Sequence, residues 1–300
     1  MKYRMLGRTG LKVSVVGVGT WQLGGEWGKS FEQDEVDRII RRAKDLGINL
    51  IDTAECYGDH LSESLIGAAV QRDRSDWVIA TKFGHKYLGF MKRAEPRSAG
   101  EVMQQLDDSL RALRTDYIDV YQYHSVRNSE YDNEALREAL FKAVRAGKVR
   151  HVGASISPPD NLHQVENADA ARVDVVQVLY NRLDRRAEQR VLPACQKLNL
   201  GVFSRVPLAS GFLTGKYKPG ATFQGGDVRA EQDPKTIEAK LREVETIQKT
   251  EVPAGVNMAQ WALAWCLQNP TVTAVIPGCK TVEQVESNAQ AAELGMVKGI

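Results

Sequence analysis

The chain has 300 residues and a net charge of only +2, which leaves no electrostatic case for nucleic acid or an anionic membrane surface as a partner. A hydrophobic share of 43% with 26% charged residues fits a globular protein able to bury a sizeable core. No run approaches the roughly 20 apolar residues of a membrane span, and MKYRMLGRTGLKVS at the start lacks the apolar core of a signal peptide, so a cytoplasmic protein is expected.

YRML and KVSVV flank the turn residues GRTG and predict a small N-terminal β-hairpin. Short β-branched runs then recur at 13–20, 48–52, 77–83, 117–124, 149–155, 173–181, 201–206 and 272–278. They lack polar alternation, as strands covered on both faces do. Helical patterns occupy 32–46, 61–72, 99–114, 133–146, 159–168, 186–198, 236–249 with 257–268, and 281–293. Asp59 or Ser62 is placed to start the second helix and Thr281 the last, while Gly47 and Gly147 stand where C-terminal glycines belong. Trp261 and Trp265, spaced i, i+4, read as core; Arg41, Arg42 and Lys44 read as a solvated helix face.

Strict strand–helix alternation over the whole of 1–300 predicts one α/β domain, a (β/α)8 TIM barrel preceded by the hairpin. The rival is an open doubly wound sheet, which would carry G-x-G-x-x-G after its first strand. Here the chain reads Gly17-Val18-Gly19-Thr20-Trp21-Gln22, without the third glycine. The longest irregular stretch, 208–235, follows the seventh strand, and loops of that length are usually functional or disordered. The cysteines Cys56, Cys195, Cys266 and Cys279 form no C-x-x-C, and the histidines show no H-x-x-x-H or H-E-x-x-H, so no metal site is expected.

In a barrel, chemistry sits at the C-terminal ends of the strands. Those ends carry Asp52, Lys82, His124, Ser155, Gln177 with Tyr180 and Asn181 just beyond, and Ser204 with Arg205. Alone, the Asp reads as a cap, the Lys as a snorkelling side chain and the His as a structural residue. Three adjacent strands ending in Asp, Lys and His converge on one rim, over which Tyr57 can fold back from five residues beyond Asp52. A neighbouring ammonium favours a phenolate and is expected to lower the tyrosine's pKa, and an aspartate keeps that ammonium charged. Such a tyrosine could protonate a developing alkoxide, with His124 orienting the carbonyl oxygen. None of these residues is a hydride source, so a cofactor would have to supply one.

The chain resembles the aldo-keto reductase superfamily over nearly its whole length. The matching pieces are YRMLGRTGLKVSVVGVGTW, NLIDTAECYGDHLSESLIG, ATKFG, YIDVYQYH, GKVRHVGAS, VVQVLYN, VPLASGFLTGKY and VIPGCKTVEQVESN, in that order. The Q-x-x-Y-N and P-L-A-S-G-x-L-T-G-K-Y segments are similar to the bacterial and channel-β-subunit-like branch. The resemblance implies a barrel that binds NADP(H), with NAD(H) not excluded, and reduces aldehydes or ketones, sugar aldehydes included. It implies Tyr57 as general acid with Asp52, Lys82 and His124 completing the tetrad. Thr20 and Trp21 would lie near the nicotinamide together with Asp52. Ser155 and Gln177 would hold its carboxamide and Tyr180 would stack on the ring. Pro207, Leu208, Ser210, Gly211 and Lys216 would wrap the pyrophosphate, and Gly278, Lys280, Gln284 and Asn288 the adenosine end. Three departures stand out: Ile156 where the family often has Asn, Gln284 where it commonly has an arginine for the 2′-phosphate, and no long C-terminal substrate loop. Lys280 and Arg229 remain as candidates for that phosphate charge. The substrate pocket is expected from Trp21, Trp27, Tyr57, His124 and the loops 84–95 and 125–132. The expected partner is a small carbonyl compound. Cys56 reads as a packing residue, although an exposed thiol there could be oxidised.

Two other classes fit parts of the pattern. A cofactor-sensing regulatory subunit would keep the same tetrad. A Schiff-base aldolase would use Lys82, but Asp52 beside it would keep the amine protonated and non-nucleophilic.

Overall fold

The computed structural model describes residues 1–294. The hairpin strands β1 (Tyr3–Met5) and β2 (Lys12–Ser14) pair antiparallel. The barrel strands are β3 (Val18–Gly19), β4 (Leu50–Asp52), β5 (Val78–Phe83), β8 (Ile118–His124), β9 (Val149–Ser155), β10 (Val173–Leu179), β11 (Gly201–Arg205) and β12 (Ala274–Val275). Between β5 and β8 lies a second antiparallel hairpin, β6 (Lys86–Gly89) and β7 (Lys92–Ala94). The eight barrel strands pair in parallel in the order β3-β4-β5-β8-β9-β10-β11-β12. Bridges Val16–Val275 and Gly19–Gly278 then join the last strand to the first. The backbone bonds Gly17 N to Val275 O and Gly19 N to Pro277 O, both 2.9 Å, close the ring. The protein is thus a (β/α)8 barrel.

The predicted run 13–20 is divided in the structure. Its first residues, Val13 and Ser14, belong to the hairpin, and only Val18 and Gly19 enter the barrel. The predicted helix 159–168 is two short pieces, Leu162–Glu166 and Ala168–Ala171. Thr281 caps its helix by accepting from Gln284 N, and Gly47 and Gly147 take positive φ after theirs. Neither Asp59 nor Ser62 caps the helix Leu61–Val70, whose first flanking residue is His60 in the left-handed region. Trp261 and Trp265 are buried. Arg42 and Lys44 are ion-paired, with Glu286 and with Asp73 and Asp76.

Side chains alternate along a strand, so each barrel strand sends every second residue into the lumen. Leu50, Val78, Ala80, Val120, Val175, Phe203 and Ala274 form one buried cluster with Leu6, Leu11 and Val13 of the hairpin. Their neighbours Ile51, Ile79, Tyr121, Val176, Val202 and Val275 join the larger cluster under the surrounding helices. The hairpin therefore plugs the N-terminal mouth. A Cβ on Gly201 would lie 2.5 Å from Leu6 Cδ1, which is why glycine starts β11. The same parity continued upward turns Asp52, Lys82, Gln122, His124, Ser155, Gln177 and Arg205 inward at the C-terminal mouth. No helix among the described residues is long and apolar enough to cross a membrane.

Candidate active site

At the C-terminal mouth the register aligns Lys82 with Gln122, His124 with Ser155, and Ser155 with Gln177. The lumen is wide enough there because Gly153 replaces a side chain: a Cβ would lie 2.7 Å from Gln122 Cγ. Lys82 is fully buried, and its ammonium donates to Asp52 Oδ1 at 2.7 Å, to the Thr53 carbonyl at 2.6 Å and to the Tyr57 hydroxyl at 3.3 Å. The other Asp52 oxygen accepts from the amides of Gln177 at 2.7 Å and Gln122 at 3.2 Å. A buried charge needs this degree of pairing. Burial opposes the Lys82 charge, but Asp52 and Tyr57 outweigh it and hold the ammonium above its usual range.

Tyr57 reaches the rim from the loop after β4. Its ring lies against Trp21, with centroids 6.0 Å apart, and edge-on to His124 at 6.2 Å. Its pKa is pushed up to about 12, because burial outweighs the downward pull of Lys82. This reverses the direction expected from sequence, where the ammonium could be seen and the degree of enclosure could not. At neutral pH the phenol is therefore un-ionised. Burial, followed by Lys82, holds His124 well below the usual histidine range, so its ring is neutral as well.

Asp52, Tyr57 and His124 line one cavity of about 640 Å³, and Lys82 lies buried behind Asp52 and Tyr57. Of the residues expected to hold a cofactor, Thr20, Trp21, Asp52, Ser155, Gln177, Pro207, Leu208, Ser210, Gly211, Lys216, Gly278, Lys280, Gln284 and Asn288 all line it. Trp27, Tyr57 and His124 line it too. Tyr180 does not: it is buried outside the lumen, packs on Trp265 at 5.3 Å and donates to Glu188 Oε1 at 2.7 Å. Arg205 lies on the wall instead; its Nη2 donates to the Ile156 carbonyl at 3.3 Å, and its Nε has no hydrogen-bond partner among the described residues. Ile156 itself is buried and offers that wall only its carbonyl. One arm of the cavity is rich in cations. Burial lowers the Lys280 pKa, and Arg229, Lys216 and Lys29 press it further down against Asp227. The Lys280 ammonium donates to the Trp27 carbonyl at 2.6 Å, and Arg229 is ion-paired with Asp227. Asp227 forms a bridge with Trp27, so the long loop after β11 crosses over β12 to the segment that follows β3.

Several contributors carried no signal in the sequence pattern. Buried Glu26 accepts from Trp21 Nε1 at 2.9 Å and from the Met91 backbone N–H at 2.9 Å, and it is ion-paired with Arg93. It thereby ties the β6–β7 hairpin to Trp21. Ser62, expected as a possible cap, instead donates to the Thr20 hydroxyl at 2.8 Å. Glu55, Cys56 and His124 present donor atoms within 4.8 Å of one another, a grouping outside the expectation of no metal site. Burial keeps the Cys56 thiol protonated, and Arg93 and Lys82 both lie near it, so a metal cation is disfavoured there.

The described residues form a parallel barrel whose C-terminal mouth opens into a cavity above a buried Lys82–Asp52 pair that bonds to Tyr57. The sequence matches the aldo/keto reductase family over residues 15–298, and the chain belongs to that family. It is 34% identical over 321 residues to the uncharacterized oxidoreductase YrpG of Bacillus subtilis, covering 100% of this chain and 94% of the relative. It is 30% identical to a probable voltage-gated potassium channel subunit beta of Arabidopsis thaliana, covering 98% and 92%. Among solved structures, the holo form of aldo-keto reductase AKR11C1 from Bacillus halodurans superposes with a TM-score of 0.82 at 29% identity, covering 98% of this chain and 92% of that one.

Proposed function

We propose that the protein is an NADP(H)-dependent reductase of small aldehydes and ketones, sugar aldehydes included, with Tyr57 as the proton donor. The observation that carries this is the set of three hydrogen bonds that the buried Lys82 ammonium donates, to Asp52, Thr53 and Tyr57, behind a cavity that Asp52 and Tyr57 line. The nicotinamide, when bound, supplies the hydride that the side chains lack. The cavity suits such a ligand. Ser155 and Gln177 offer an amide-pairing edge beside the tetrad, and Lys216, Lys280 and Arg229 crowd positive charge at the other arm, where phosphate would relieve their mutual repulsion. That crowding is also the support for NADP(H) over NAD(H).

The side chains divide the work. His124 directs a neutral ring at the carbonyl oxygen. As that oxygen gains negative charge, the Tyr57 O–H bond breaks, its proton goes to the oxygen, and the phenolate is left beside the Lys82 ammonium. Asp52 keeps that ammonium charged throughout. Solvent reaching the cavity then reprotonates Tyr57. A positioned general acid is worth about 10²–10⁴ in rate, so Tyr57→Phe should lower kcat by that factor across a carbonyl panel. NADPH binding, read by fluorescence, should be unchanged. Full activity of the variant would remove Tyr57 from its role.

The likeness to a channel subunit favours a second reading, a cofactor sensor with little turnover. It predicts tight NADPH binding with negligible reduction of every carbonyl in the panel. The charged state of Lys82 counts against aldolase chemistry.

A further inference from the structure

Glu55 stands two residues before Tyr57, and nothing in the reaction above uses it. It is buried, and its two oxygens have different surroundings. Oε1 accepts from the His85 backbone N–H at 2.9 Å. Oε2 has no hydrogen-bond partner among the described residues and faces His124 Nδ1 at 3.7 Å. Leaving a buried carboxyl oxygen unpaired is costly. The same Nδ1 lies 3.8 Å from Cys56 Sγ, so its polar neighbours among the described residues include Glu55 Oε2 and this weak thiol donor. Nε2, across the ring, is left for the cavity that His124 lines.

A neutral imidazole has one donor and one acceptor nitrogen. To donate to a carbonyl oxygen, Nε2 must carry the proton, and Nδ1 must then accept. A carboxylate at Glu55 would impose the opposite tautomer, because it can only accept. We infer that Glu55 is a positioning residue that sets the His124 tautomer: as the neutral acid it donates Oε2–H to Nδ1 and leaves Nε2–H for the substrate oxygen. The proton belongs on Oε2 because Oε1 already receives an N–H. Closing 3.7 Å to a hydrogen bond of about 2.8 Å needs a side-chain shift of about 1 Å, the tightening common when a site fills.

The surroundings support the neutral acid. Burial raises the Glu55 pKa, against the opposing pull of His85 and Lys82. The other groups near it are Cys56 and His60 from its own loop, Tyr121 and His124 from β8, and Arg93 behind Cys56. His85 is held largely neutral, with its pKa lowered to about 4 by burial and then by His124. As pH rises through the Glu55 titration, the carboxylate takes over, Nδ1 becomes the donor and Nε2 loses its hydrogen.

This deepens the reductase reading and shares its placement of His124 against the carbonyl, but its principal readout needs no turnover. Long-range ¹H–¹⁵N spectra of the labelled full-length protein report each histidine tautomer, with His124→Asn identifying the signal. The wild type should show Nε2–H on the acid side of the Glu55 titration and change to Nδ1–H as pH rises through it. Glu55→Leu and Glu55→Gln, which cannot titrate, should show no such change. In the kinetic arm, wild-type kcat/KM should fall as pH rises through that titration, the fall should be absent in Glu55→Gln, and Glu55→Leu should lose about tenfold on the plateau below it, the worth of one hydrogen bond. Nδ1–H in the wild type across the whole pH range, or the same pH-dependent change in Glu55→Leu, would overturn the inference. The wild-type spectrum decides even if a variant misfolds. A wild-type protein that binds NADPH, reduces no carbonyl in the panel and shows the expected tautomer change would sink the reductase reading and leave this one standing.

Discussion

The two mouths of the barrel are made by the same strands and differ in almost everything else. The N-terminal mouth is apolar, filled by Leu6, Leu11 and Val13 against Leu50, Val78, Ala80 and Val120. The C-terminal mouth, one or two strand residues higher, holds a buried ion pair, two glutamines and a histidine around an open cavity. Because alternation along each strand is strict, the chain can switch from packing to chemistry within two residues, as from Ala80 to Lys82. The lower half supplies a rigid base, and the upper half spends stability on groups that would be cheaper as hydrocarbon.

The comparison can be broken from either end. At the upper mouth Lys82→Met should cost kcat about 10²–10⁴, because the phenolate loses its counter-charge. It should also lower stability by roughly 3–5 kcal/mol, since Asp52 is left buried without its partner; Asp52→Asn in the same chain should recover stability and leave kcat low. Urea unfolding beside a carbonyl assay separates the two effects. At the lower mouth Leu6→Ala should cost about 2–5 kcal/mol of stability by opening a cavity in the plug. Its kcat per folded molecule should match the wild type; a large fall would mean that the plug shapes the site. The smallest effect sharpens the boundary. The His85 pKa is depressed from 6.5 to about 4, so the stability its neutral ring contributes is complete above about pH 6.5 and is lost as pH falls toward 4. By pH 5 that loss is at most about 2 kcal/mol relative to His85→Asn, measured by urea unfolding at each pH.

Much of this was legible before any coordinates. Apolar runs without alternation gave the barrel, and polar residues at their ends placed Asp52, Lys82 and His124 around one rim. The same periodicity, carried further, would have found Gln122, which shares its face with Val120 and His124, and would have chosen Arg205 over Ser204 as the inward residue, since Arg205 shares its face with Phe203. It would also have turned Tyr180 outward, three residues from the inward Gln177, toward Trp265. Other features had no such handle. The hairpin β6–β7 is built from KYLG and KRA, too short and too mixed for a strand pattern. Glu26 works through contacts with Trp21 and Arg93 that no spacing announces. The upward shift of Tyr57 depends on enclosure by residues distant in sequence, which outweighs the nearby charge that the sequence does reveal.

The seam of the barrel is its thinnest part. β3 and β12 are two residues long, and two bridges join them. Thr20 and Trp21 lie on one side of that seam, and Gly278 and Lys280 lie on the other, all on the wall of the same cavity. A ligand gripping both sides acts as a rivet across the join, and tight binding there adds its free energy to the resistance of this joint against opening. Amide exchange at Gly17, Gly19 and Val275 would then slow with each increment of bound ligand, so that occupancy of the cavity is written into the breathing of the barrel wall.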